Sequence, residues 1–345
     1  MSFEVAEIAD LAVLEAIRAE WSALCDRSPR TTPFQRPEWL IPWWRTFPPG
    51  EPWVLAIRRE GRLAALAPFL LYRKDGKRTV AFCGGGVSDY CDMVTDPEIE
   101  EEATAAILAH LAAQRDRWEV GDFEPVPGES PLLRVAPPDG LEVGTEPRDV
   151  CPRLALPDRV EDLHERVPTR QLSNLRKYRR TAEKLGTLRL ETVDEGRWEE
   201  TLEILIRFHL ARRIETGQPG LLDGDGLRAF HSQVAAGFHA RGALGLYALR
   251  LDEQPIASLY GFHEKETFYF YMQGFDWAWG RLSPGVMVVG GVVEDVLRRG
   301  ARRLDFLRGR ESYKYWWGAQ DRQTFRRVLK VPPLNPPRNN QAPGG

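Results

Sequence analysis

The chain has 345 residues, of which 43% are apolar and 28% are charged. This balance is typical of a folded globular protein, and the length favours two domains over one. The formal net charge of −3 argues against a protein that acts mainly on DNA or on anionic lipid, although it allows a local basic patch.

The first half of the chain alternates between helical and strand periodicity and predicts a domain over residues 1–150. A helical pattern over 11–27 precedes a loop and short helix that are rich in tryptophan and proline. The following predicted elements are strands at 53–58, 63–72 and 79–83, a glycine-rich loop, a helix at 97–115 and a strand at 119–124.

A proline-rich stretch at 125–157 predicts the crossing to a second domain over residues 151–331, with an edge strand or two on the way. The elements predicted there are helices at 159–185, 197–214, 226–241 and 286–299, and strands at 187–192, 245–251, 255–263, 267–275, 303–307 and 324–331. We expect residues 332–345 to form a disordered tail, because they are polar and rich in proline and glycine.

The two halves repeat the order β-β-β-α-β, with weak similarity residue by residue. The last strand of each copy contains Asp-Phe, at Asp122-Phe123 and Asp305-Phe306. The sequence therefore predicts an α/β (α+β) protein of two similar domains, each with a mixed, mostly antiparallel sheet flanked by helices.

The turn before the helix at 286–299 is a candidate anion site. Ser283 suits the N-cap and Pro284 the first turn of a helix, whose N-terminal amides and dipole attract a phosphate. Arg281 adds a cation that could pair with it. The alternative is an ordinary strand-to-helix turn, since the residues form neither a P-loop nor a dinucleotide-binding motif.

Several phrases spread over about residues 10–330 resemble one superfamily. They are Thr32-Pro-Phe-Gln, Pro37-Glu-Trp, Trp43-Trp44, Leu175-Arg-Lys-Tyr-Arg-Arg, Glu183-Lys-Leu-Gly, Tyr271 with Gly274-Phe-Asp, Ser283-Pro-Gly, and Asp305-Phe-Leu-Arg-Gly with Glu311 and Tyr313-Lys314. With the order of elements they resemble the GNAT acyltransferases, specifically the CelD/BcsL-like branch named for a cellulose biosynthesis protein and related to the FemAB aminoacyl transferases.

The resemblance implies two tandem GNAT-like domains and an acyl-coenzyme A donor whose pyrophosphate lies in the loop after the fourth strand. Here that loop supplies Gly280, Arg281, Ser283 and Gly285, although it departs from the usual Q/R-x-x-G-x-G/A pattern. The resemblance also implies an acid shortly after the fifth strand, where Tyr313 lies. A packed aromatic is the alternative for Tyr313.

Other candidate site residues carry alternatives as well. Glu311 and Asp276 are candidate bases, and Arg308 and Lys314 are candidate substrate ligands that could instead pair with Asp305. Arg176 and Arg180, on a basic helix, would bind a phosphate or form a solvated face. Trp39 and Trp43 would stack on a sugar acceptor or belong to the core.

We therefore expect an acyl-coenzyme A-dependent N- or O-acyltransferase, most simply an acetyltransferase of a bacterial cytoplasm, acting on a saccharide or envelope precursor. The alternatives are FemAB-like transfer from aminoacyl-tRNA, which the acidic chain disfavours, and a non-catalytic binding subunit of the same fold. The four cysteines lack ligand spacing, so we expect no metal and no disulfide framework. We also expect no signal peptide and no membrane span; the acyl group and oligomeric state stay open.

Overall fold

The computed structural model describes residues 3–47, 50–192, 197–216 and 225–332. Except for residue 332, the tail expected to be disordered lies outside the described residues. The first half contains, in chain order, β1 (Glu4–Ile8), α1 (Leu11–Ala16), α2 (Arg18–Arg27), α3 (Pro37–Thr46), β2 (Glu51–Pro52), β3 (Val54–Arg59), β4 (Arg62–Ala67), β5 (Phe69–Lys74), β6 (Lys77–Phe82), β7 (Val94–Thr95), α4 (Glu100–Ala113), β8 (Val120–Pro127), α5 (Pro131–Arg134) and β9 (Glu142–Val150).

The second half contains β10 (Arg153–Ala155), α6 (Thr169–Ala182), β11 (Leu188–Thr192), α7 (Trp198–Thr216), α8 (Asp225–Ala240), β12 (Leu244–Leu251), β13 (Gln254–Glu264), β14 (Thr267–Phe275), α9 (Pro284–Arg298), β15 (Arg303–Asp305), α10 (Ser312–Trp316) and β16 (Gln323–Lys330). A 3₁₀ helix, Trp277–Leu282, joins β14 to α9. The predicted elements are thus present, with ends shifted by a few residues.

At two places a proline divides a single predicted element into two elements of the structure. Pro68, which has no N–H to donate to a ladder, separates β4 from β5 within the predicted strand 63–72. Pro168 separates the 3₁₀ helix Val160–Glu165 from α6 within the predicted helix 159–185. The N-terminal helix is also divided, at Ile17.

Three sheets form the frame of the molecule. Their strand orders are β1-β3-β4-β7, β2-β5-β6-β8-β16-β9 and β10-β15-β14-β13-β12-β11. The bent strand β4–β5 belongs to both sheets of the first half. Pairing is antiparallel except for β6 with β8 and β14 with β15.

The predicted repeat is present in the strand directions. In the first half β3, β4–β5 and β6 are antiparallel neighbours, and α4 then leads to β8, which is parallel to β6. In the second half β12, β13 and β14 are antiparallel neighbours, and α9 leads to β15, which is parallel to β14.

The crossing between the halves carries two strands, β9 and β10, and the end of the chain returns to the first half. β16 pairs with β8 and β9, whereas β10 pairs with β15 of the second half. A cut at residue 150 would therefore assign β16 to the second half although it pairs with strands of the first. The domain boundaries 1–150 and 151–331 stay a prediction.

One hydrophobic core cluster contains buried residues of both halves. Trp39 of α3 makes edge contacts with the rings of Phe230 in α8 and Phe262 in β13, at centroid distances of 5.1 and 5.6 Å. The buried ion pair of Arg36 with Glu264 joins the halves beside this core, with Nη2 2.6 Å from Oε1. The site described next lies between these two halves.

One close helix contact fixes the position of α6. A Cβ on Gly290 of α9 would lie 2.6 Å from the Leu175 side chain, so only glycine lets α6 approach this closely. Arg179 of α6 also pairs with Glu294 of α9 at 2.8 Å. These contacts place α6 alongside α9.

Candidate functional site

A cavity of about 560 Å³ lies where two parallel strands of the second half diverge. β14 pairs with β15 only from Thr267↔Arg303 to Tyr269↔Asp305. β14 then continues to Phe275, whereas β15 ends at Asp305. In the pairing of β14 with β13 the register shifts between Tyr260 and Gly261, which leaves Tyr271 of β14 as an extra, unpaired residue. The cavity is lined by residues 270–273 and 306–308, the start of α9, the α10 segment, and the loop at 87–89 of the first half.

The start of α9 lines this cavity, but it offers fewer amides than the sequence predicts. Ser283 is the N-cap residue, yet it adopts a left-handed conformation (φ 55°) and its side chain makes no capping bond. Its N–H donates to Gly280 O at 3.0 Å, and the Val286 N–H donates to Ser283 O at 3.0 Å. Pro284 has no N–H, so within this turn the Gly285 amide is left for a ligand.

Three of the four predicted donor-binding residues line the cavity, namely Gly280, Ser283 and Gly285. Arg281 does not line it, and its side chain is exposed at the same turn. Gln273 adds a polar group that the sequence analysis missed, since its Oε1 is buried and without a hydrogen-bond partner among the described residues. That oxygen can accept an N–H from a bound molecule.

The opposite wall is a strained turn at residues 307–309, held by two charged residues. Leu307 has φ 57° and Gly309 has φ 115°. The Asp305 carboxylate accepts the Leu307 N–H at 2.8 Å. The buried Lys314 ammonium donates to the carbonyls of Leu307, Arg308 and Gly309 at 3.0, 2.8 and 3.3 Å and pairs with Glu311 at 2.9 Å.

The donors of Lys314 are therefore engaged by the protein, which favours a structural role over the predicted substrate contact. The pairing expected for Asp305 also differs from the observed one. Its carboxylate accepts from Tyr90 at 2.8 Å and from Arg153 at 3.1 Å, not from Arg308 or Lys314. Burial raises the pKa of Asp305, and Arg153 opposes that effect.

Asp89 is the acidic residue that the sequence analysis missed. It belongs to the first half, lines the cavity, and forms an ion pair with Arg308 at 3.2 Å. Its side chain is 13% exposed, and burial raises the pKa of Asp89 to about 6 against the opposing charge of Arg308. A carboxylate with such a pKa can exchange a proton near neutral pH.

Of the three predicted catalytic residues, Tyr313 and Glu311 line the cavity and Asp276 does not. Tyr313 packs against Phe270 and Phe306 at ring-centroid distances of 6.4 and 6.1 Å. Asp276 instead accepts the Ala278 N–H at 3.0 Å and caps the 3₁₀ helix before α9. Asp276 therefore has a capping role and is not part of the cavity lining.

The two tryptophans proposed as a sugar-stacking platform are buried. Trp39 is fully buried, and its Nε1 donates to Ser88 Oγ at 2.9 Å. It lies in the core and has no free face for a sugar. Trp43 is 2% exposed and lines a second, apolar cavity beside Val87, with its Nε1 donating to Gly85 O at 3.3 Å. For both residues the core alternative fits the geometry.

The basic helix α6 presents cations to solvent beside α9. Arg176 and Arg180 are exposed, and neither has an ion-pair partner within the described ranges. Arg179 is the member of this run that pairs inward, with Glu294. The two candidate phosphate ligands thus remain available to an anion.

The described residues contain no group of three histidine, cysteine or acidic side chains that could hold a metal ion. Nor does any helix among them have the length and apolar character needed to span a membrane. The four cysteines are buried and none forms a disulfide.

Comparison with known proteins gives a family match for part of the chain and similar folds for most of it. Residues 169–315 match the family model described as Acetyltransferase (GNAT) domain. No curated protein matches the sequence. Among solved structures, the chain is similar to FemX with a TM-score of 0.68 and 12% identity, over 94% of this chain and 96% of that one.

Two further structures show the same likeness in fold. A conserved protein of unknown function from Bacteroides thetaiotaomicron has a TM-score of 0.62 and 13% identity, over 95% of this chain and 100% of that one. The C-terminal domain of a putative lysylphosphatidylglycerol synthetase from Agrobacterium fabrum has a TM-score of 0.58 and 12% identity, over 91% of each chain. The predicted fold class, α/β with two tandem GNAT-like domains, is confirmed, whereas the CelD/BcsL-like branch stays a prediction.

Proposed function

We propose that the protein is an acyl-coenzyme A-dependent N- or O-acyltransferase with its active site in the 560 Å³ cavity. The observation that carries this proposal is the joint presence of Asp89 and Tyr313 in the cavity at the strand divergence. One comes from each half of the chain, and together they supply the base and the acid that acyl transfer from a thioester needs.

In the proposed reaction, an amine or hydroxyl of the acceptor attacks the thioester carbonyl. The Asp89 carboxylate takes the proton from the attacking nitrogen or oxygen, and a carbon–nitrogen or carbon–oxygen bond forms. The carbon–sulfur bond then breaks, and the Tyr313 hydroxyl gives its proton to the departing thiolate. Because the pKa of Asp89 is raised to about 6, it is a stronger base than an ordinary aspartate and is still ionised at neutral pH.

The donor site fits coenzyme A in part. The Gly285 amide at the start of α9 suits a pyrophosphate oxygen, and the unpartnered Gln273 Oε1 suits an amide N–H of the pantetheine arm. Exposed cations lie nearby: Arg281 is in the turn before α9, and Arg176 and Arg180 are on the neighbouring helix α6. These cations would attract the donor's phosphates in place of the Ser283 and Val286 amides, which already donate hydrogen bonds within the turn.

The acceptor would approach from the side of the first half, where Asp89 and Arg308 lie. We retain a saccharide or envelope precursor as the proposed acceptor class, which the resemblance implies and the exposed polar rim at Arg308 and Glu311 allows. The absence of disulfides among the four buried cysteines supports a cytoplasmic setting, in which acyl-coenzyme A is available.

Transfer from aminoacyl-tRNA is the second candidate, favoured by one observation. The exposed cations of α6 lack carboxylate partners among the described residues, as expected of a surface that binds a phosphate backbone. In that case the same cavity would hold an aminoacyl ester, and Asp89 and Tyr313 would keep their roles.

The test is a binding and turnover panel with purified protein. Acyl-coenzyme A thioesters should raise the melting temperature, and release of free thiol should require an amine or hydroxyl acceptor. If no thioester binds while charged tRNA does, the second candidate replaces the first. If neither binds, the protein is a non-catalytic member of this fold.

A further inference from the structure

One wall of the proposed acyl-transfer cavity is buried and apolar, beside the polar groups Asp89, Gln273 and Lys314. Phe270, Val289, Phe306 and Trp317 line it, and each is at most 3% exposed. They come from β14, from the first turns of α9 and from the segment after β15, so they surround the strand divergence itself. The charged groups Arg308 and Glu311 are 40% and 57% exposed and therefore lie towards the rim.

Two exposed indoles lie at the mouth of the same cavity. Trp277 is 42% exposed and Trp316 is 55% exposed, and both line it. The Trp277 ring packs on Phe275 at a centroid distance of 4.7 Å, which holds it in place. Large apolar side chains exposed at a cavity mouth are typical of a surface that a ligand covers.

The size of the cavity exceeds what a small acyl group needs. A volume of about 560 Å³ is that of a site for a drug-sized ligand, so beside the end of the donor's pantetheine arm it can hold an acyl group larger than acetyl. An extended chain can contact the buried apolar residues and the indoles together, because all of them line the same cavity, whose other lining includes the polar groups Asp89, Gln273 and Lys314.

We infer that the acyl group of the donor is an aliphatic chain of medium or long length, which lies along the apolar wall and reaches Trp277 and Trp316. This inference rests on the proposed function, because it names the group that the site transfers. The transfer step is unchanged: the chain stays on the carbonyl carbon while the carbon–sulfur bond is exchanged for the bond to the acceptor.

The test measures the binding of non-hydrolysable thioether analogues of acyl-coenzyme A, which needs no acceptor. Isothermal titration of acetyl, butyryl, octanoyl and dodecanoyl analogues should show the dissociation constant falling by about fourfold for each buried methylene. Octanoyl has six more methylenes than acetyl and should then bind on the order of 10³–10⁴-fold more tightly. A dissociation constant that does not change with chain length, or that is lowest for acetyl, overturns the inference.

Two variants locate the chain. Trp316→Ala should weaken octanoyl binding about tenfold and acetyl binding by much less, and Trp316 is exposed enough for the variant to fold. Val289→Phe should narrow the cavity and move the preferred chain to a shorter length. Leu185→Ala is the matched control, because Leu185 is 60% exposed and does not line the cavity.

Failures of the two proposals are distinguishable. If acetyl-coenzyme A binds and is turned over best, the acyltransferase proposal stands and the chain-length inference falls. If thiol release depends instead on the apolarity of the acceptor at constant acyl length, the apolar wall belongs to the acceptor. If no thioester of any length binds, the proposed function itself is refuted and the inference with it.

Discussion

Replacing Asp89 by asparagine should separate a catalytic carboxylate from a structural one, because the two roles have opposite consequences for stability. Burial raises the pKa of Asp89 from 3.8 to about 6. The folded protein therefore binds this proton more tightly than the unfolded chain, and the associated stability is present below about pH 4 and lost as the pH rises through 6.

The magnitude follows from the same displacement of the pKa. A change from 3.8 to about 6 corresponds to at most about 3 kcal/mol of unfolding free energy, with the attraction of Arg308 already included. Asp89→Asn removes the buried charge and keeps the shape. We expect the variant to be more stable than the wild type by roughly 1–3 kcal/mol at about pH 8 and by little at about pH 4.

Asp89→Asn should lose activity although it gains stability. The wild-type kcat/KM should fall as the pH drops below about 6, because Asp89 is then protonated, and Asp89→Asn should lose roughly 10²–10⁴-fold in turnover. Asp92→Asn is the control: Asp92 is also buried and also has a pKa raised to about 6, but it lies outside this cavity. Urea unfolding at both pH values and a pH profile of turnover provide the measurements. Full turnover in Asp89→Asn, with the acidic limb retained, would refute the base role.

Three further predictions concern the acid, the donor and the fold. Tyr313→Phe should lower turnover about 10²–10⁴-fold with little change in donor affinity; normal turnover per folded molecule would make Tyr313 a packing residue. Arg176→Ala with Arg180→Ala should raise the donor dissociation constant about tenfold by titration calorimetry, and an unchanged value would leave these cations without a donor role. Glu264→Gln should cost roughly 1.5–3 kcal/mol of unfolding free energy in urea, since the buried Arg36 guanidinium then keeps a carboxylate only at the more exposed Asp26; a loss below about 1 kcal/mol would contradict this.

The order of helices and strands could be predicted because each element depends on the local pattern of apolar residues and prolines. α9 is an example: Pro284 at its first position and an apolar run mark its start and its buried face. The return of β16 to the sheet that contains β8 and β9 could not be predicted, because its periodicity shows a strand but says nothing about which neighbour it pairs with. Strand partners are set by packing between segments about 200 residues apart.

The candidate site was predictable on one side only. Motifs in the second half indicated Tyr313, Glu311 and the turn at Ser283, and all three line the cavity. Asp89 was missed because its role depends on Arg308, which is distant in sequence and 3.2 Å away in space. The signal that could have drawn attention to it is its place in a glycine-rich loop directly after β6, where a side chain at a strand end can face a cleft.

The contacts around Asp305 explain why the site needs both halves of the chain. Asp305 is fully buried, and its carboxylate depends on Tyr90 from the first half and on Arg153 from the crossing. Without those partners a buried charge would remain uncompensated, which is costly. The same carboxylate holds the Leu307 N–H, and that turn carries Arg308, the partner of Asp89. The first half therefore supplies a candidate base and also holds in place the wall of the second half that faces this base.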